Sequence, residues 1–217
     1  MNSIIAVVDY GMGNLRSVAK ALEHVVDKNQ QVVVTSRAED IAAASHVVFP
    51  GQGAARDCMH ELRQHALIEP VLEAARNKPF LGICMGLQVL MAHSEENSGV
   101  DCMGFYPGEV RALAPKIKAI GDHGLKIPHM GWNNVTQTRT HPLWDGIEQN
   151  SRFYFVHSYF VDPEDPQLAS GTTHYGIEFT SAIACANVFA VQFHPEKSAA
   201  DGLRLLHNFV RWNGQHP

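Results

Sequence analysis

The nine residues Phe80-Leu81-Gly82-Ile83-Cys84-Met85-Gly86-Leu87-Gln88 decide how this chain is organised. The apolar run introduced by Pro79 reads as a strand over Phe80–Ile83, and the residues after it continue as a helix. At the junction stands Gly-x-Cys-x-Gly, a nucleophile elbow with cysteine in place of serine. The spacing has a physical reason. A reactive side chain on a sharp strand-to-helix turn is exposed, and glycines two residues to either side remove side chains that would clash with it. A helix starting behind the sulfur points unpaired N–H groups at it, which favours a thiolate and any oxyanion formed beside it.

Outward from the elbow, Ile4–Val8, Val32–Val34 and His46–Phe49 are further strands, apolar throughout. Between them lie helical patterns over Leu15–Val26 and, opened by the capping box Ser36-Arg37-Ala38-Glu39, a shorter one. Ala54–Asn77 is helical in composition and expected to bend near Pro70. Uniformly apolar strands that alternate with helices indicate a parallel sheet covered on both faces. Beyond Gly104 the texture changes, with strands expected over Gly108–Leu113, Lys126–Thr136, Arg152–Tyr159 and Leu168–Phe193. Ser198–Trp212 closes the chain as an amphipathic helix with Leu203, Leu206, His207 and Val210 on one face. The expectation is a single domain over residues 1–217: α/β, with an open, mostly parallel twisted sheet, helices on both faces and added antiparallel strands.

Composition narrows the functional classes. The 217 residues carry 17 Lys+Arg against 22 Asp+Glu, with 45% hydrophobic and 18% charged residues. That is enough apolar material for a sizeable core, which excludes disorder and a disulfide-dense mini-protein. A net charge of -5 lacks the positive field of a non-specific nucleic-acid binder. The N-terminus has no basic segment, and the apolar neighbourhood Phe80–Ala92 is broken by Gly82, Gly86 and Gln88, so a cytoplasmic chain is expected. Thirteen histidines and four cysteines suggest metal binding, but the spacing does not support it. His60 and His65 stand five apart, about 140° around a helix, and cannot share an ion. Gly11-Met12-Gly13 begins like a dinucleotide fingerprint, yet Arg16 occupies the third glycine position. Cys58, Cys102 and Cys185 are expected as buried, inert, reduced thiols. No metal and no cofactor is expected.

A cysteine nucleophile needs a base, and the base an orienting group. Val191-Gln192-Phe193-His194-Pro195-Glu196 offers both. Pro195 pushes His194 towards an extended conformation. In extended chain, residues two apart share a side, which would bring Glu196 to the imidazole.

Three motifs, Pro50-Gly51-Gln52-Gly53, Gly82-Ile83-Cys84-Met85-Gly86-Leu87-Gln88 and Gln192-Phe193-His194-Pro195-Glu196, together resemble the class I glutamine amidotransferases in order and separation, from one end of the chain to the other. The resemblance implies that fold and a Cys84, His194, Glu196 triad hydrolysing the side-chain amide of L-glutamine. It implies an oxyanion site at the Pro50–Gly53 loop, with N–H groups near Gly51 and Gln52 joined by that of Met85. Gln88 would hold the amino-acid end of the substrate and Glu96, preferred over Glu95, its ammonium group. His157, Ser158 and Tyr159 would line the same pocket. Asp9-Tyr10-Gly11-Met12-Gly13-Asn14-Leu15, Pro128-His129-Met130-Gly131-Trp132-Asn133 and Phe155-Val156-His157-Ser158-Tyr159 resemble the branch of the family serving histidine biosynthesis. There the ammonia passes to a separate (β/α)8-barrel cyclase subunit in a heterodimer. Asn14, Pro128, Met130, Trp132 and Asn133 would face that partner, and His129 would lie on the same face. By its residues alone, Trp132 reads equally well as a core aromatic. Phe160 departs from the pattern, where a second Tyr is common. Alternatives at this level are the glutaminase of another synthase and, in a different class, a non-catalytic α/β binding module.

Overall fold

The computed structural model describes residues 3–121 and 124–215. In its first half strands alternate with helices, a helix pair linking β3 to β4: β1 Ser3–Val8, α1 Leu15–Val25, β2 Gln30–Thr35, α2 Ala38–Ala43, β3 His46–Gly51, α3 Ala55–Gln64, α4 Ile68–Asn77, β4 Phe80–Cys84 and α5 Met85–Gln88. Then come β5 His93–Ser94, β6 Val100–Asp101, β7 Gly108–Ala112, α6 Leu113–Ala119, β8 His129–Asn134 and β9 Thr136–Gln137. The chain ends with β10 Arg152–His157, β11 Tyr159–Pro163, β12 Ala169–Tyr175, β13 Ile177–Cys185, β14 Val188–Val191 and α7 Ala199–Phe209.

The main sheet runs β2-β1-β3-β4-β14-β13-β11-β7-β5-β6, with β12 paired to β13 and β9 to β12. Its β2-β1-β3-β4-β14 section is parallel throughout. From β14 to β13, β11 and β7 the pairing is antiparallel. Alternation along each strand splits the core into two layers. Ile5 and Val7 of β1 pack into the layer with Val18 and Leu22 of α1 and with Leu205, Leu206 and Phe209 of α7. Ala6 and Val8 pack into the other, with Ile41, Met59, Leu62 and Val71 of α2, α3 and α4. Both faces of β1, β3, β4 and β14 are therefore largely buried, which explains why these strands carry so few polar residues, whereas β2 at the edge is partly exposed and keeps Gln30, Gln31 and Thr35.

Four local expectations need correction. The helical stretch Ala54–Asn77 is two helices, divided at Ala66 with φ 53°. Pro70 causes no bend because it falls in the first turn of α4, where a missing N–H costs no hydrogen bond. At α2 the capping box does not form. The cap position is Arg37, without a side-chain cap bond, and Thr35 Oγ1 instead receives the Arg37 N–H at 3.0 Å and donates to Asp40 at 2.7 Å. The buried face of α7 is Gly202, Leu205, Leu206 and Phe209, displaced around the helix from the expected one. Finally, Arg152–Tyr159 is not one strand. β10 pairs with β8 in a separate two-stranded ribbon, and after Ser158 the chain crosses into the main sheet as β11. No helix among the described residues is long and apolar enough to cross a membrane.

Candidate active site

β3, β4 and β14 end side by side, where parallel α/β sheets commonly place their ligands. The register sets Gly51 beside Cys84 on one flank and Val191 beside Ile83 on the other. The segment leaving β14 must therefore emerge next to Cys84, and that segment is Gln192-Phe193-His194. Insertion of the last strand beside β4 brings residues more than 100 apart in sequence to one edge.

Cys84 takes φ 54° and ψ -105°, a conformation that non-glycine residues rarely adopt and that costs on the order of 1–3 kcal/mol. Packing enforces it. A Cβ at Gly86 would stand 1.8 Å from the Phe49 carbonyl oxygen, so α5 can lie this close to β3 only with glycine there. The helix behind the sulfur is a single turn. The site therefore receives the unpaired N–H groups of one turn, opened by Met85, rather than the field of a long helix.

His194 is braced through its backbone. Its N–H donates to the Tyr154 carbonyl at 2.9 Å, and its carbonyl accepts the Ser198 hydroxyl at 2.6 Å. Its Nδ1 meets Glu196 Oε1 at 2.9 Å, with both side chains buried. The expected partner is thus in place, but by a different route. Pro195–Lys197 is a turn of 3-10 helix, so Glu196 folds back onto the ring rather than sharing a side along an extended chain. Because the carboxylate accepts at Nδ1, that nitrogen carries a proton and Nε2 is the working end. Nε2 is buried without a well-formed hydrogen bond among the described residues. Burial by itself lowers the His194 pKa, but the negative Cys84 sulfur, together with Glu196, outweighs it and raises the value to about 10.

The cavity at this edge holds about 310 Å³. Cys84 and His194 open into it with Gln52, Gly53, Met85, Gln88 and Glu96, and the crossover His157-Ser158-Tyr159 lines it as well. Gly51 lies behind this lining, paired with Cys84, and is sealed in: a Cβ there would fall 2.2 Å from the Tyr10 hydroxyl. Glu95 is turned away from the cavity, taken up by the Ala112 N–H at 2.8 Å and by Arg111 at 3.3 Å. Glu96 borders the cavity, with one oxygen fixed by the Ala55 N–H at 2.7 Å and its pKa raised by burial.

His157 borders the cavity, but its ring is directed to a partner the sequence did not suggest. Nδ1 is 2.8 Å from the Tyr159 carbonyl and Nε2 is 2.8 Å from His129 Nδ1. A carbonyl can only accept, so the proton of His157 sits on Nδ1, and its Nε2 accepts from His129. Asn133 Nδ2 completes the chain at His129 Nε2, 3.2 Å away. Desolvation lowers the pKa of His129 to about 4 and that of His157 to about 3. His129 is therefore buried, stacked between Phe155 and Tyr175, and not on the outer face as expected.

The outer face of β8 belongs to its neighbours. Met130 is 62% exposed and Trp132 44%, so Trp132 is no core aromatic; it touches Tyr154 edge-on. Pro128 is exposed and also lines the cavity, while Asn14 and Asn133 are half-buried. Of the cysteines expected to be buried, only Cys58 is; Cys102 is half-buried and Cys185 exposed, since β13 ends at the surface there. The thiols of Cys58 and Cys102 are pushed up to about 12 by burial. Among the described residues, no three His, Cys, Asp or Glu side chains are grouped to hold a metal ion.

Gln192 lies within one of the motifs, but the sequence alone gives it no role. It is fully buried, and its Nε2 lies 3.6 Å from Cys84 Sγ. The signal was its position two residues before His194 within the same motif.

The family model for class I glutamine amidotransferases matches residues 6–212. The imidazole glycerol phosphate synthase subunit HisH of Hydrogenovibrio crunogenus is 57% identical over 98% of each chain. The protein of the same name from Thiobacillus denitrificans is 60% identical, over all of this chain and 95% of its own. Among solved structures, PurLQS from Thermotoga maritima superposes with a TM-score of 0.70 at 18% identity, over 97% of this chain and 99% of that one. The crystal structure of a glutamine amidotransferase gives 0.69 at 14% identity, over 95% of this chain and 97% of that one. These distant structures share the fold.

Proposed function

The chain belongs to the class I glutamine amidotransferases, and from that premise we propose that it is the glutaminase subunit of an imidazole glycerol phosphate synthase, hydrolysing L-glutamine and passing the ammonia to a separate cyclase. One observation carries the chemistry: a strained cysteine and a buried His–Glu pair meet at a cavity that Gln88 and Glu96 also line. Identity of 57–60% to the two HisH proteins supports the choice of synthase.

The Cys84 thiolate adds to the side-chain carbonyl carbon of glutamine, forming a C–S bond and an oxyanion. N–H groups of Met85 and of the loop at Gly51 and Gln52 stabilise that oxygen; losing one such donor typically costs about 10²–10³ in rate. His194 passes its Nε2 proton to the leaving nitrogen, the C–N bond breaks, and ammonia departs from a glutamyl thioester. Neutral His194 then takes a proton from water, whose hydroxide attacks the thioester; the C–S bond breaks and glutamate leaves. Both Gln88 N–H groups are committed to protein acceptors, so it turns an acceptor oxygen to the substrate's ammonium group, which Glu96 also binds. His157, Ser158 and Tyr159 line the same pocket.

The partner is a (β/α)8-barrel cyclase docked in a heterodimer on the face carrying Asn14, Pro128, Met130, Trp132 and Asn133. It converts a phosphorylated ribotide to imidazole glycerol phosphate and aminoimidazole carboxamide ribotide in histidine biosynthesis, in the cytoplasm. The chain acts as one glutamine amidotransferase domain over residues 1–217. Steady-state glutamate release with and without the cyclase and its ribotide ligand tests the reading. Slow hydrolysis alone and a large stimulation in the complex are expected. Equal rates would overturn the assignment to a coupled synthase, and full activity in Cys84→Ala would overturn the chemistry.

A further inference from the structure

One main-chain carbonyl sets the polarity of the hydrogen bonds around the nucleophile. The Tyr159 carbonyl, an acceptor only, receives Gln88 Nε2 at 3.1 Å. The same nitrogen donates to Gln192 Oε1 at 3.0 Å. With its oxygen taken, Gln192 presents Nε2 to Cys84 Sγ at 3.6 Å, within reach of an atom as large as sulfur. A carboxamide nitrogen carries donors and no acceptor. The ambiguity between amide oxygen and nitrogen is thus resolved at both glutamines by the network itself. Both side chains are buried, so neither is free to turn over in solvent.

We propose that Gln192 is a catalytic donor, its carboxamide N–H holding the Cys84 sulfur as the anionic nucleophile, with Gln88 as the positioning residue that keeps it in the donating orientation. The assignment deepens the glutaminase reading and rests on it. It gives the two partners of the sulfur different tasks. His194 must surrender its proton to the departing ammonia, whereas an amide N–H is not acidic enough to leave. Gln192 therefore stays with the sulfur from attack to release and stabilises the thiolate again when the thioester breaks. The titratable groups around Cys84 are His194, paired with Glu196 after β14, and the Tyr10 phenol after β1. Neither is bonded to Gln192.

The test is the pH dependence of Cys84 alkylation by iodoacetamide, followed by peptide mass spectrometry on the full chain. Cys58 and Cys102, at about 12, contribute little background, and the Cys185 peptide is resolved by mass. Gln192→Met, close in size but without a donor, should move the midpoint up by about one pH unit and lower kcat/KM at least about tenfold, with KM for glutamine nearly unchanged. Gln192→Glu, which sets a carboxylate against the sulfur, should move it further. If Gln192→Glu does not fold, Gln192→Met still decides. An unchanged midpoint in either folded variant, or a loss confined to KM, overturns the assignment. Failure of the glutaminase reading looks different: the wild-type chain would not be labelled selectively at Cys84 by a glutamine-analogue electrophile, while the iodoacetamide midpoints would still decide the role of Gln192.

Discussion

His194 and His157 are both buried beside the same cavity, yet their surroundings drive them to opposite charge states. At the carboxyl edge of the parallel strands, His194 stands between a carboxylate and a sulfur, and its pKa rises to about 10 although burial opposes it. On the ribbon of β8 and β10, His157 and His129 are bonded only to neutral groups, and burial lowers them to about 3 and about 4. Desolvation acts on all three; the charge of the partner decides the outcome. The first site keeps a strained backbone and an imidazole whose second nitrogen serves the Cys84 sulfur. In the second, each ring nitrogen has a partner, as a structural element requires.

The comparison can be broken or sharpened by substitution. Cys84→Ala removes the negative partner and the nucleophile together; glutamate release should fall about 10⁴-fold or more, with little change in melting temperature. Glu196→Gln gives His194 the neutral kind of partner that His157 has. Its turnover should drop about 10²–10⁴-fold, and the imidazolium should lose its proton at lower pH, read from the pH–rate profile. A retained profile would mean that the carboxylate does not set the charge. Trp132→Ala, on the outside of the ribbon, should weaken binding of the cyclase by about 2 kcal/mol, roughly 30-fold in Kd by calorimetry. An unchanged Kd would remove Trp132 from the interface. The smallest effect concerns acid stability. His129 and His157 have folded values below 6.5, so unfolding takes up protons. The stability they contribute is complete above about pH 6.5 and is lost as pH falls towards their folded values. The melting temperature should therefore fall over this range, and more gently in His129→Asn; equal slopes would mean that the pair is already charged.

The elbow at Cys84 and the pair His194 and Glu196 were legible in the sequence because each lies within a few residues of chain, where local sterics rule. Less could be read where an answer depends on distant contacts. Glu95 and Glu96 differ only through Arg111, Ala112 and Ala55, brought up by folding. Gln192 acquires a role only because Gln88, 104 residues away, holds its oxygen. The alternation of β8 marks two faces, but pairing with β10 was needed to turn His129 inward and Met130 and Trp132 outward. Even the contact of Glu196 with His194 was expected for the wrong reason, an extended segment where the chain turns. A mostly parallel sheet was legible but its strand order was not, since nothing local records that β4 will be joined by a strand from the far end of the chain.

The backbone at Cys84 has one more consequence. Glycine would occupy φ 54°, ψ -105° more readily than any residue with a side chain, so Cys84→Gly should relax the turn. A breeding scheme that rewarded only heat resistance would drift towards that change and deliver a sturdier, inert protein. The cysteine marks a place where usefulness and robustness are competing demands on a single codon.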